Sequence, residues 1–206
     1  MNHSKIWNWV IASVGGQGAI TMNAVLGRAV AKAGLNISTA ETHGMAQRYG
    51  RVTVHVRIGK DVHGALIPAG SADVLLGLEP LEALRSIEYC SSKTIVLLNR
   101  QILRPPSISI SWHARYPNLE EIEHLLREAS GELISLEAHE LAKEAGSVLA
   151  TNAVMMGVLC AAVELPIEES ILKEALLEMM PPTAKDVNRR AFELGRAYVG
   201  LAKLRA

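Results

Sequence analysis

The chain has 206 residues, enough for one compact domain with a buried core, and its 21 basic side chains balance 21 acidic ones, so no net field points to nucleic acid or an anionic membrane. Its two cysteines, Cys90 and Cys160, lie outside any CxxC and exclude both a disulfide framework and a four-cysteine iron–sulfur site. Seven histidines without HxH or HxxxH spacing offer no metal-ligand pattern, so no metal and a reducing cytoplasm are expected.

In chain order, Ile6 to Val14 is an apolar, β-rich run. It is short, carries Asn8 and lacks a small-residue cleavage site, so it reads as a buried first strand and not as a secretory leader. It ends in Gly15-Gly16-Gln17-Gly18, after which Ala19 to Ala33 has helix-forming composition and stops at Gly34. Asn36 to Glu41 is a second short strand and Thr42 to Gly50 a polar loop. From Arg51 the residues alternate strictly, with Val52, Val54, Val56 and Ile58 on one face and Arg51, Thr53, His55 and Arg57 on the other. Gly59 to Gly64 resembles a turn and Ala65 to Ile67 a returning strand, which would insert an antiparallel hairpin into a βαβ order.

Asp73 to Leu78 and Thr94 to Leu98 are continuous apolar runs of the kind found in central strands covered on both faces, with a helix from Glu79 to Ile87 between them. An edge strand is expected over Ser107 to Ser111, a helix capped by Asn118 through about Glu128, and a strand over Glu132 to Leu136. From His139 to Leu204 the chain reads as helix, interrupted near Pro166 and Pro181-Pro182. Its apolar stretch Val148 to Val163 contains Thr151, Asn152 and Gly157 and falls short of the roughly 20 residues needed to span a bilayer. The fold class is therefore α/β: a single Rossmann-like domain with a mixed, mostly parallel sheet, a hairpin insertion and a helical C-terminal region.

Two segments stand out as sites. The backbone N–H groups of the glycine turn, with the helix N-terminus behind them, form a cradle for an anion such as phosphate. Serine at position 13 breaks a dinucleotide fingerprint, however, and Glu41 is the nearest strand-end candidate for a ribose partner. Glycines that let strand and helix pack closely are the more ordinary explanation of the turn. The second segment, Glu41 to Arg51, packs His43, Met45, Gln47, Arg48 and Tyr49 between glycines at the carboxyl edge of a strand, where open α/β sheets place ligands. A solvated loop with weak surface ion pairs is the bland alternative. His55 and Arg57 on their strand face, Trp7 and Trp9, the two thiols and the basic helix face of Lys185, Asn188 and Arg189 all read first as structure.

Taken in order, Val14-Gly15-Gly16-Gln17-Gly18, Glu41-Thr42-His43-Gly44-Met45-Ala46-Gln47-Arg48, Val54-His55-Val56-Arg57-Ile58-Gly59, Ala72-Asp73-Val74-Leu75, Thr151-Asn152 and Asn188-Arg189-Arg190-Ala191-Phe192-Glu193-Leu194-Gly195 resemble the beta subunits of indolepyruvate:ferredoxin oxidoreductases. Those subunits are similar to the gamma subunits or domains of 2-oxoacid:acceptor oxidoreductases. The resemblance spans nearly the whole chain, so residues 1–206 are expected to form one such domain. It implies a large partner subunit that holds thiamine diphosphate and iron–sulfur clusters. There an aryl 2-oxoacid such as indolepyruvate would lose carbon dioxide, its acyl group passing to coenzyme A and its electrons to ferredoxin.

By that resemblance this chain carries no cofactor itself. Gly15, Gly16, Gln17, Gly18, His43, Met45, Gln47 and Arg48 are the expected cofactor-binding or cleft-lining residues, and the His43 to Arg51 loop is the expected docking element. Alone, the chain would be inactive and colourless and could pair with a second copy. It departs from the family pattern at Ser13 and at Tyr49-Gly50-Arg51, which stand where Gly and Gly-Gly-Ser are usual. The competing expectations are a stand-alone nucleotide or coenzyme A binding module built on the glycine turn, and a structural dimerising domain.

Overall fold

The computed structural model describes residues 5–44, 50–103 and 115–203. The expected edge strand Ser107 to Ser111, and Met45, Gln47, Arg48 and Tyr49 of the polar loop, lie outside these.

Among the described residues six strands form one sheet in the order β2-β3-β1-β4-β5-β6: β1 (Trp7–Val14), β2 (Asn36–His43), β3 (Arg51–Gly59), β4 (Val74–Gly77), β5 (Ile95–Asn99) and β6 (Glu132–Leu136). β1, β4, β5 and β6 pair in parallel, while β3 runs antiparallel to both of its neighbours, so β3 is reversed relative to the other five described strands. The carboxyl ends of the other five strands therefore share one edge of the sheet with the start of β3.

The hairpin exists, but β2 is its first arm and β3 its second. Ala65 to Ile67 forms no strand. The strict alternation in β3 fixed its two faces without revealing its neighbours. Its polar face fastens the 60–73 segment: Arg57 donates to the carbonyls of His63 and Gly64, each at 3.1 Å, and to Asn8 Oδ1 at 3.0 Å. His55, 3% exposed, accepts the Ile67 N–H through Nδ1 at 3.3 Å and packs edge-on against Tyr89. Burial pushes its pKa down, so the ring is neutral.

Among the described residues seven α-helices cover the sheet: α1 (Ala19–Lys32), α2 (Pro80–Arg85), α3 (Leu119–Ala129), α4 (Ala138–Ala145), α5 (Thr151–Ala162), α6 (Glu169–Met179) and α7 (Lys185–Lys203). Successive side chains of a strand point to opposite faces, and the core divides accordingly. Trp9, Ile11, Val54, Val74 and Leu76 meet α1 and α4 to α7 on one face. Val10, Ala12, Leu75 and Val96 meet α2, α3 and the 60–73 segment on the other. No helix among the described residues is long and apolar enough to cross a membrane.

The C-terminal motif finds its use in packing. A Cβ at Gly157 or Gly195 would run into the carbonyl of Phe192 or Val154, so these glycines let α5 and α7 cross in close contact. Arg190 donates to the Ala145 carbonyl at 2.8 and 3.0 Å and satisfies the end of α4.

Candidate functional site

Val14 ends the buried first strand, and the chain must turn at once to lay α1 against the sheet. Gly16 and Gly18 make the turn with φ of 99° and 78°, in a region that side-chain-bearing residues rarely adopt. Gly18 is also the N-cap of α1, and among the described residues no side chain caps that helix end.

Most of the turn is satisfied from within the chain. Gln17 accepts the Val14 N–H through Oε1 at 2.9 Å and donates through Nε2 to the Leu78 carbonyl at 2.8 Å, tying the ends of β1 and β4 together. Asn99 donates to the same carbonyl from β5. The Gly15 N–H bonds the Gly50 carbonyl at 2.8 Å, which links the turn to the start of β3. From α5, Asn152 donates to the carbonyls of Gln17 and Gly18 at 3.0 and 3.1 Å. An added Cβ on Gly18 would lie 2.6 Å from the Asn152 amide nitrogen, so the resembling segments at 14–18 and 151–152 belong to one interlock.

Beside the turn lies a cavity of about 240 Å³ between α1, α5, α6 and α7, with Thr21, Met22, Met156, Met180, Asn152 and Asn188 in its lining. It falls below the roughly 300–1,000 Å³ of self-sufficient ligand pockets, a size suited to part of a ligand or to a site completed by another chain. Exposed apolar side chains stand nearby in sequence: Ile20 in the first turn of α1, 51% exposed, and Val148 and Leu149 just before α5, 43% and 89% exposed. Leu149 also lines the cavity.

His43 is the last residue of β2 and is exposed, not part of a loop. It pairs with Val52 of β3, whose other neighbour is Ser13. Two strand spacings, roughly 10 Å, thus separate it from β1, so His43 and the glycine turn share an edge without touching. Glu41 lies on the same outer strand, and its carboxylate accepts from Asn23 of α1 at 3.0 Å. Because β3 separates β2 from β1, Glu41 is not on the strand next to the turn, as a ribose partner would be.

Two acidic residues at this edge escaped the sequence reading. Glu79 and Glu82, both 0% exposed, begin α2. Through Oε2, Glu79 accepts the Glu82 N–H at 2.9 Å. Its Oε1 accepts the Tyr116 hydroxyl at 2.5 Å and the Leu103 N–H at 3.4 Å. Glu82 binds Arg85 at 2.7 Å. Its other oxygen lies 3.9 Å from Arg51 Nε, and Arg51 also donates to the Arg85 carbonyl. Burial raises the pKa of both carboxyls. The unusual Arg51 is thus the residue that connects the polar loop to α2. A signal was present, since an acid directly before proline at the end of a buried strand is a helix N-cap pattern.

Among the described residues no group of three or more His, Cys, Asp or Glu could hold a metal ion. Cys90 and Cys160 are separate free thiols, pushed up by burial to about 11 and about 12. The chain's two cysteines fall short of the four thiolates that an iron–sulfur cluster takes.

Residues 8–198 match the family described as pyruvate ferredoxin/flavodoxin oxidoreductase. The chain is 47% identical over 188 residues to the indolepyruvate oxidoreductase subunit IorB of Archaeoglobus fulgidus, covering 91% of this chain and 92% of that one. Its fold resembles the gamma subunit of a keto/oxoacid ferredoxin oxidoreductase from Geobacter sulfurreducens, with a TM-score of 0.67, 18% identity, and 95% and 99% of the two chains covered. It also resembles part of a 2-oxoglutarate:ferredoxin oxidoreductase from Magnetococcus marinus, with a TM-score of 0.73 and 21% identity, over 96% of this chain and 32% of the larger one.

Proposed function

Because the chain belongs to the pyruvate ferredoxin/flavodoxin oxidoreductase family, we propose that it is the smaller, cofactor-free subunit of an indolepyruvate oxidoreductase and works only against a large partner subunit. The near full-length identity to an IorB subunit carries this reading. Two cysteines in the whole sequence cannot supply the four thiolates of an iron–sulfur cluster, which leaves such a carrier to another subunit. Thiamine diphosphate and iron–sulfur clusters on the partner would supply the decarboxylation and the electron path to ferredoxin.

This chain's own contribution is a preformed edge. The glycine turn offers the open N-terminus of α1 to an anionic group, and the cavity behind it offers thioether and amide side chains. Gln17 and Asn152 hold the turn still instead of reaching outward. Ile20, Val148 and Leu149 give the same region an apolar surface for a partner. A phosphate or the tail of coenzyme A fits this corner, and aryl 2-oxoacids are the substrates expected of the assembled enzyme.

Co-expression with a tagged large subunit tests the assembly. The wild-type chain should copurify, whereas Leu149→Glu, which buries a charge in the contact, should be lost from the complex while remaining folded alone. An isolated chain that never joins a large subunit but binds coenzyme A tightly would replace this reading with a stand-alone binding module, to which the uncapped α1 terminus beside a cavity also lends itself.

A further inference from the structure

Glu79 and Glu82 lie one turn apart at the start of α2, and neither reaches solvent. Burying carboxylates so close together is costly, and apolar residues would stabilise α2 more simply. What the pair gains is fixed geometry at the carboxyl edge. Glu79 gathers donors from Leu103 and Tyr116, the two flanks of the connection between β5 and α3, as well as from the first turn of its own helix. Glu82 orients Arg85 and faces Arg51, which begins β3 immediately after the carbonyl that holds Gly15. Leu78, the residue before Glu79, offers the carbonyl on which Gln17 and Asn99 converge. Three connections at the edge are therefore referred to one short segment, 78–82. The raised pKa of both carboxyls reflects the low-dielectric setting in which such bonds are strongest.

We propose that Glu79 and Glu82 are positioning residues for assembly of the complex, holding Tyr116, Leu103 and Arg51 in one arrangement beside the glycine turn so that the edge meets its partner subunit preformed. The proposal rests on the reading of the chain as an oxidoreductase subunit. A preordered surface loses less freedom on association than one that must order as it binds. Losing the network should therefore weaken assembly more than it slows turnover.

The test titrates purified large subunit with this chain, following 2-oxoacid-dependent viologen reduction at a temperature where every variant is folded. Tyr116→Phe, which removes a single hydroxyl, Glu79→Gln and Glu82→Gln should each raise the chain concentration for half-maximal activity on the order of tenfold, while the plateau rate stays within about twofold. Thermal midpoints of the isolated variants separate positioning from stability. Lowered midpoints with unchanged half-saturation would mean a merely structural role and overturn the proposal. A wild-type chain that activates no large subunit would bring down the subunit reading and the proposal with it. An active wild type with indifferent variants would remove the proposal alone.

Discussion

Two structures stand side by side at the carboxyl edge, joined through Leu78: the glycine turn after β1 and the buried glutamates at the start of α2. The turn is closed by neutral hydrogen bonds from amide side chains and backbone, so its shape is independent of pH. The glutamates are closed by bonds to ionisable groups, so their geometry depends on protonation. A polypeptide can thus hold one half of an edge permanently and the other conditionally, and substitutions should separate the two.

The largest effect is expected at Glu79. Glu79→Ala removes the acceptor of the Tyr116 hydroxyl, which keeps only the Leu81 N–H, and of two N–H groups, and should cost on the order of 3–5 kcal/mol in urea unfolding. Next comes Gly18→Ala, which meets both a positive φ and the Asn152 amide. It should cost about 1–3 kcal/mol, and the loss should be less than additive when combined with Asn152→Ala, as a double-mutant cycle would show. Gln17→Ala removes two bonds between strand ends, with an expected cost of about 1–2 kcal/mol that does not vary with pH.

The pH dependence is the subtlest separation. Burial raises the folded pKa of Glu79 and Glu82 above the ordinary carboxylate value. Between the unfolded and folded values the native state holds more protons, so stability from this source falls as pH rises through that window. His55 acts in the opposite sense. Its folded pKa is lowered by burial, so the stability it contributes is present above the unfolded value and is lost as pH falls through the folded one. Unfolding free energies measured from mild acid to neutrality should show Glu79→Gln reducing the first slope, with the remainder due to Glu82, and leaving the second; a first slope undiminished by this substitution would mean that Glu79 does not contribute to it.

Much of the frame was legible because it is local. The β1–turn–α1 unit, the continuous strands β4 and β5, the cap at Asn118 and the breaks near Pro166 and Pro181 follow from hydropathy and turn chemistry within a few residues. Long-range pairing was not. Nothing within the alternating run of β3 says that it returns along β2, and the expected strand at 65–67 proved to be a segment held by Arg57 and His55 side chains. Gly15 to Gly18 were recognisable by residue type, yet the inward use of Gln17 depends on carbonyl and amide groups on other strands. Glu79 and Glu82 read as ordinary residues of a helix because burial depends on what packs above them, and Tyr116 lies far along the chain.

The most direct measurement is 2-oxoacid-dependent ferredoxin reduction by the large subunit alone, by this chain alone and by the copurified pair, with an aryl 2-oxoacid and coenzyme A supplied. Activity is expected only in the pair. Equal activity from the large subunit without this chain, or turnover by the isolated chain, would contradict it.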